Sequence, residues 1–143
     1  MSDRNRHMQG HHIMRGTILF LTFAFTAQTA VALEPLKDVA YVRDGIIAVG
    51  IAYEIGDKCG SIEARYLRGL GLLNDLKAHA AGLGYTDAEI DAYIDDDAEK
   101  DRLEAVARQQ LADLGAVAGD EASYCAVGEA QIAAGTQAGQ LLR

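Results

Sequence analysis

An apolar segment near the start of the chain decides which residues are available to fold. Arg15 and Gly16 lead into the uncharged run Thr17–Ala27, and an Ala-Val-Ala triplet with Ala30 and Ala32 at its ends follows it. A basic start, an apolar stretch and an A-x-A motif are the successive parts of a secretory signal peptide. The sequence therefore predicts a signal peptide over residues 1–32, cleaved after Ala32, and a single domain over residues 33–143.

Two alternatives concern this leader. The uncharged stretch of residues 16–33 is close to the lower length limit of a membrane-spanning helix, so an uncleaved anchor in the inner membrane is one alternative. Gln28 and four threonines dilute that stretch, which favours cleavage. Met14 is a second possible start of the chain, because the residues before it add nothing that a signal peptide needs.

The charge of the chain changes at the same position. Residues 1–32 carry a formal charge of +2, whereas residues 33–143 carry ten basic and twenty acidic side chains, a formal charge of −10. A strongly negative domain is repelled by nucleic acid and by anionic lipid. We therefore expect neither nucleic acid nor, once the signal peptide is removed, a membrane as a partner.

The chain has two cysteines, Cys59 and Cys125. In an exported protein an even number of cysteines indicates a disulfide. A zinc site needs three or four ligands, and His79 is the one histidine after residue 32. Redox pairs usually lie close together in sequence, and these two do not. The sequence predicts a structural disulfide, with a zinc site and a redox pair as weaker alternatives.

Helix signals dominate the rest of the chain and predict an all-α domain, a small bundle of about five short helices. Apolar residues recur at intervals of three and four along the first helix, and these are Val39, Val42, Ile46, Val49 and Tyr53. The predicted helices cover residues 37–55, 61–82, 87–94, 98–114 and 121–134, with one more turn in the tail 137–143. The disulfide would then join the end of the first helix to the first turn of the last.

The second predicted helix carries three specific expectations. Ser61 is a good N-cap for it. Its buried face is expected to consist of Ile62, Tyr66, Leu70, Leu73 and Ala80. Gly69 and Gly71 are costly inside a helix, so we expect another backbone to pack closely against them.

An acidic cluster invites a calcium interpretation. It consists of Asp91, Asp95, Asp96, Asp97 and Glu99. An EF-hand loop that started at Asp95 would need Gly at its sixth position and Glu at its twelfth, where this chain has Lys100 and Val106. Acidic residues at the start of a helix need no metal, because they favour the positive end of the helix dipole. We predict no metal site.

The inventory of reactive side chains shows no catalytic constellation. A serine–histidine pair would have to use His79, and the motifs of serine hydrolases, zinc proteases and nucleotide-binding loops are absent. Paired carboxylates are abundant, so acid–base chemistry of the glycosidase type is not excluded by count. Arg65, Tyr66 and Arg68 are weak ligand candidates, because two arginines one turn apart can hold a carboxylate or a phosphate.

Three segments carry a resemblance to a known family. They are Cys59–Arg65, Gly84–Lys100 and Ser123–Arg143. Together they resemble a family of small exported bacterial proteins of unknown function, over nearly all of residues 36–143. The resemblance implies an accessory link to respiratory NADH dehydrogenase and supplies no catalytic residue. Two cysteines cannot hold an iron–sulfur cluster that takes four, and no cofactor is predicted.

The function of the chain is therefore unknown from its sequence, and three expectations remain open. The first is a periplasmic or secreted domain that acts through protein–protein contacts and is not an enzyme. The second is an accessory or assembly factor of a respiratory or other envelope complex. The third is a small-anion binder or an enzyme that uses Arg65, Arg68 and the acidic residues of 91–99.

Overall fold

The computed structural model describes residues 32–143. The predicted apolar leader and Ala30 lie outside the described residues, and Ala32 is the first residue inside them. Leu33, the predicted start of the mature chain, lies ahead of the first turn of the folded body.

Six helices and one 3-10 turn make up the folded part of residues 32–143. In chain order these are the 3-10 turn Leu36–Asp38 and helices α1 (Ala40–Lys58), α2 (Tyr66–Leu83), α3 (Asp87–Asp95), α4 (Asp97–Asp113), α5 (Glu121–Ala134) and α6 (Gln137–Gln140). This part of the chain contains no strand, and a single isolated bridge pairs Ala64 with Leu142. The predicted all-α bundle is confirmed, and the predicted C-terminal turn is α6.

Helix α1 is the centre of the bundle, because α2, α4, α5 and α6 all pack against it. Its buried residues include Ile47, Ile51 and Ile55, and Ile55 is completely excluded from solvent. The core around them also contains Leu103, Ala107, Leu111, Val127, Leu141 and Leu142. A helix with neighbours on several sides is apolar on several sides.

The apolar stripe predicted along the first helix is only partly covered by its neighbours. Val39 and Val42 are buried, Ile46 and Val49 are half-buried, and the side chain of Tyr53 is 55% exposed. The spacing of apolar residues identifies one face of α1, whereas the neighbouring helices cover chiefly another.

The first helix also starts and ends later than predicted. It covers Ala40–Lys58 rather than 37–55, because residues 36–38 form a separate 3-10 turn and Val39 is extended. The helix continues through Gly56 rather than stopping there. A Cβ atom at this glycine would lie 2.9 Å from the backbone nitrogen of Ala64, so a larger residue would push that segment away.

The predicted N-cap at Ser61 is wrong. Helix α2 begins at Tyr66, and the residues between α1 and α2 are non-helical. The backbone N–H of Glu63 donates to the carbonyl of Arg143 at 2.8 Å, and the N–H of Arg143 donates to the carbonyl of Glu63 at 3.0 Å. Pairing with the C-terminal tail satisfies this backbone, so the helix starts one turn later than local sequence signals suggest.

The predicted starts of the later helices agree with the structure to within one residue. Thr86 and Glu89 form a capping box at the start of α3, with the Thr86 hydroxyl accepting from the Glu89 N–H and the Glu89 carboxylate accepting from the Thr86 N–H. Asp96 caps α4, and Asp120 caps α5. These caps depend on residues three positions apart, which a sequence shows directly.

The predicted disulfide is confirmed. Cys59 and Cys125 are bonded with an S–S distance of 2.06 Å. Cys59 ends α1 and is 1% exposed, whereas Cys125 lies in the second turn of α5 and is half-buried. The Ser61 hydroxyl, free of the predicted cap, lies 3.3 Å from the sulfur of Cys59.

A second, smaller cluster fixes the start of the folded body. Leu36 and Val39 are buried there against Ala80 and Ile90. The phenol of Tyr85 belongs to the same cluster and donates a hydrogen bond of 2.6 Å to the carbonyl of Glu34.

Candidate functional site

A cleft runs between α2 and α4, because both helices pack on α1 but not closely on each other. Its floor is formed by Ile46, Val49 and Tyr53 of α1. Leu73 of α2 and Leu103 of α4 form its walls, and this part of the cleft has a volume of about 350 Å³.

Two grooves continue the cleft on either side of Leu73. One, of about 270 Å³, lies at the N-terminal end of α2 and is lined by Tyr53, Tyr66 and Leu70. The other, of about 310 Å³, lies between α2 and α3 and is lined by Leu70 and Ile94. Leu73 lines all three volumes, so they form one continuous surface, which we call the apolar cleft.

Large apolar side chains along the cleft are left open to solvent. Leu70 is 58% exposed, Tyr66 is 68% exposed, and Leu67 next to them is 86% exposed. The prediction that Tyr66 and Leu70 belong to a buried face is therefore wrong, although Ile62 and Ala80 are buried as predicted. A contiguous exposed apolar surface on a small domain is typical of an interaction site.

The close approach predicted for Gly69 and Gly71 is also wrong. No atom outside the local helix lies within 4 Å of a Cβ built on either glycine. Gly71 is exposed on the open side of α2, whereas Gly69 is half-buried and lines the 270 Å³ groove without a close neighbour. Their lack of a side chain is not explained by packing within the domain.

Replacing Gly71 with alanine is therefore expected to stabilise the domain by up to about 1 kcal/mol, because alanine is the better helix former and meets no neighbour here. Urea unfolding of the two proteins measures the difference. Gly84→Ala is the matched control, since Gly84 has a φ of 103° and an alanine there is strained. Stabilisation by both substitutions, or destabilisation by Gly71→Ala, would contradict the open environment of Gly71.

The three weak ligand candidates lie at one end of the cleft. Arg65 and Tyr66 line the 270 Å³ groove, and the guanidinium of Arg68 donates to the carbonyl of Gln140 at 3.3 Å. Within residues 32–143, no carboxylate lies within 4.0 Å of Arg65 or Arg68. Arg65 thus borders an apolar groove rather than a polar pocket, and Arg68 lies one turn further along α2 without lining the groove.

The acidic cluster of residues 91–99 lies elsewhere. Asp91 pairs with Lys77 at 3.4 Å, and Lys77 is nine residues along α2 from Arg68, about 14 Å at the helical rise. Asp96 caps α4, and Asp97 pairs with Lys100 at 3.1 Å. In the described part of the chain, no three His, Cys, Asp or Glu side chains are grouped to hold a metal ion. The structure therefore does not bring Arg65, Arg68 and the acidic residues into one site.

Glu99 is the most enclosed acid of that cluster, and it joins α3 to α4. Its carboxylate accepts from Arg102 at 2.6 Å and from the phenol of Tyr93 at 3.2 Å. The hydrogen bond from Arg102 lowers the pKa of Glu99. Burial, followed by the neighbouring charge of Glu99, raises the pKa of Tyr93 to about 12.

Alkaline pH is expected to destabilise the domain through Tyr93. Its pKa in the folded state, about 12, lies above the ordinary value of 10.0, so folding favours the neutral phenol. This contribution is complete below pH 10 and is lost as the pH rises from 10 towards 12. Unfolding midpoints measured across that range should fall less steeply in Tyr93→Phe than in the parent protein. Equal slopes in the two proteins would show that Tyr93 ionises as in the unfolded chain.

The side chains considered for nucleophilic chemistry have structural partners. The ring of His79 lies against the ring of Tyr41, with their centres 4.4 Å apart. The hydroxyl of Ser123 donates to the carbonyl of Asp120 at 2.7 Å, and Ser61 adjoins the disulfide. Among residues 32–143, no hydrogen bond joins His79 to either serine.

The apolar cleft is the feature that the sequence interpretation missed. Its floor was identified only as part of an apolar stripe on the first helix, and Leu67 was not singled out. The available signal was that α2 places apolar residues at 66, 67, 70, 72, 73 and 76, which is more than one face of a helix. When a helix has more apolar faces than neighbouring helices to cover them, part of its apolar surface is left exposed.

No helix among residues 32–143 combines the length and the apolar character that crossing a bilayer requires.

Comparison with known proteins gives a family and no activity. No curated protein and no solved structure matches the chain. A sequence family described only as a family of unknown function, DUF5333, matches residues 34–143, which include all three segments that carried the resemblance. The chain therefore belongs to this family of unknown function (DUF5333).

Proposed function

We propose that this chain is a small exported binding domain that docks another protein in its apolar cleft. The single observation behind this proposal is the exposure of Tyr53, Tyr66 and Leu70 along a cleft that no described part of the chain fills. Burial of these side chains by a partner would be favourable by roughly 25 cal/mol for each Å² of apolar surface removed from water. An accessory role on a respiratory or other envelope complex would be one instance of this function.

The chemistry of the cleft favours binding over catalysis. Its lining is almost entirely apolar, and Arg65, Lys100, Glu54 and Glu104 stand at its edges. A catalytic site needs polar groups that converge on one reacting atom. The carboxylates of the 91–99 cluster with assigned contacts instead cap helices or form ion pairs.

Two observations support export to the periplasm or the medium. The sequence ahead of residue 33 has the three parts of a signal peptide. The disulfide between Cys59 and Cys125 is of a kind that persists in oxidising compartments. Mass spectrometry of the exported protein without reductant should find a chain that starts at Leu33 and lacks two hydrogen atoms. A full-length chain with two free thiols inside the cell would contradict export.

Docking is tested by placing a photo-crosslinking amino acid at Leu70 in the producing organism. Ile132 on α5 is the matched control, because it is an exposed aliphatic residue that does not line the cleft. We expect a discrete adduct with one other protein from position 70 and none from position 132. The adduct should disappear when Leu73, at the centre of the cleft, is changed to aspartate. Adducts from both positions, or from neither, would overturn the proposed function.

A further inference from the structure

We propose that the segment seated in the apolar cleft is an amphipathic helix of another protein, and that acidic side chains of this helix meet Arg65 and Arg68. This inference rests on the proposed function and specifies the chemistry of the partner. It follows from the pairing of charges, from the shape of the cleft and from the net charge of the domain.

The pairing of charges leaves three basic side chains without an acidic partner. Residues 33–143 hold ten basic side chains among twenty acidic ones. Seven of the ten form ion pairs, and these are Arg43, Lys58, Lys77, Lys100, Arg102, Arg108 and Arg143. Within residues 32–143, the other three, Lys37, Arg65 and Arg68, have no carboxylate within 4.0 Å, although the domain has two acids for every base. Lys37 lies in the 3-10 turn before α1, whereas Arg65 lines the cleft and Arg68 follows it on α2. One end of the cleft is therefore basic although the domain as a whole is acidic, and a basic end is complementary to acidic side chains of a partner.

The position of the two arginines relates them to the cleft. Arg65 lines the 270 Å³ groove beside Tyr66 and Leu70, and Arg68 follows one turn later. The contact of Arg68 with the carbonyl of Gln140 engages one terminal nitrogen of its guanidinium. A guanidinium has five N–H donors, so donors remain for a carboxylate of a bound segment.

The shape of the cleft fits a helix. Two helices form its walls, and the floor residues Ile46, Val49 and Tyr53 follow one another along α1 at intervals of three and four. They span seven residues, about 10 Å of helix axis, which matches apolar anchors at positions i, i+4 and i+7 of a bound helix. Because the cleft is open, an acyl chain in it would stay exposed along one side. A helix covers itself with its own polar face.

The net charge disfavours a second copy of this chain as the occupant. Two copies would bring together two domains that each carry a formal charge of −10. Such self-repulsion keeps acidic proteins apart. A different protein, whose acidic residues are confined to the end that meets the arginines, avoids most of this electrostatic repulsion.

The test uses designed helical peptides with one leucine stripe. There are four peptides. One carries two glutamates in its first turn, and a second carries two glutamates in its last turn. The other two are their counterparts, with lysines in place of the glutamates. Binding to the oxidised domain is measured by fluorescence anisotropy. We expect one glutamate peptide to bind about tenfold more tightly than its lysine counterpart. High salt should reduce this preference because it screens exposed charges.

Variants connect the preference to the two arginines. The preference should vanish in the double variant Arg65→Gln and Arg68→Gln, and it should persist in Arg43→Gln, which removes an arginine of α1 that already forms an ion pair with Asp44. Circular dichroism confirms that each variant is folded. Leu70→Asp should weaken the binding of every peptide.

The outcomes separate the two proposals. Equal affinity for the glutamate and lysine peptides would overturn the proposal that the partner helix is acidic, while the cleft would still be a docking site. Failure of every peptide to bind would overturn the docking site itself. Saturable binding of laurate that depends on Leu70 would show that the occupant of the cleft is a lipid. A dimer in sedimentation that Leu70→Asp dissociates would show that the occupant is a second copy of this chain. Either result would overturn the partner helix.

Discussion

Replacing both cysteines with alanine is expected to lower the free energy of unfolding by about 4 kcal/mol. Cys59 and Cys125 are 66 positions apart, so the bond closes a long loop and restricts the unfolded chain. In the folded state it ties the end of α1, the central helix, to α5. Small domains have a total stability of about 5–15 kcal/mol, so the loss is a large fraction of what holds this fold together.

Urea unfolding with and without a reductant measures the contribution of the bond. The reductant should shift the parent protein to the midpoint of the double variant and leave the variant itself unchanged. Ser61→Ala is the control for local disturbance, because this side chain touches the sulfur of Cys59 but closes no loop. A loss below about 1 kcal/mol in the double variant would show that the unfolded chain is compact without the bond.

The second large effect is expected at Gly139, where alanine should cost about 3 kcal/mol. A Cβ atom at this position would overlap the carbonyl oxygen and carbon of Gln131 and the backbone nitrogen of Ile132 in α5. All three are backbone atoms, which cannot rotate away as the end of a side chain could. The short helix α6 would have to move off α5. The buried Leu141 and Leu142, which follow α6, would be drawn out of the core with it.

Denaturation of Gly139→Ala and of Gly71→Ala compares the same chemical change in two environments. The first is expected to destabilise the domain and the second to stabilise it, because Gly71 has no neighbour within 4 Å. Amide exchange should show the loss of protection concentrated in α6 and in the Glu63–Arg143 pairing. If Gly139→Ala matched the parent protein, the close packing of α6 on α5 would be wrong.

The sequence predicted those features that depend on residues close together in the chain. The capping box of Thr86 and Glu89, the bounds of α5 and the ends of α3 need only local signals, and they agree with the structure. The disulfide could be predicted because two cysteines in an exported chain allow one pairing. These inferences required no knowledge of which helices pack together.

The errors have one physical origin, which is contact between distant residues. Ser61 has the local character of an N-cap, but Glu63 pairs with Arg143, eighty positions away. Gly69 and Gly71 suggested a close neighbour, and the fold places none there. Periodicity detects an apolar face without showing what covers it, so the sequence did not reveal that the floor of the apolar cleft is left open.

The hydrogen bond from Tyr85 to the carbonyl of Glu34 has a consequence for the boundary of the stable fragment. Because Glu34 is held and Leu36 is buried, an exopeptidase that trims the chain from its amino end would meet resistance at residue 34. Limited digestion should therefore leave a resistant core whose first residue coincides with the start of the family match.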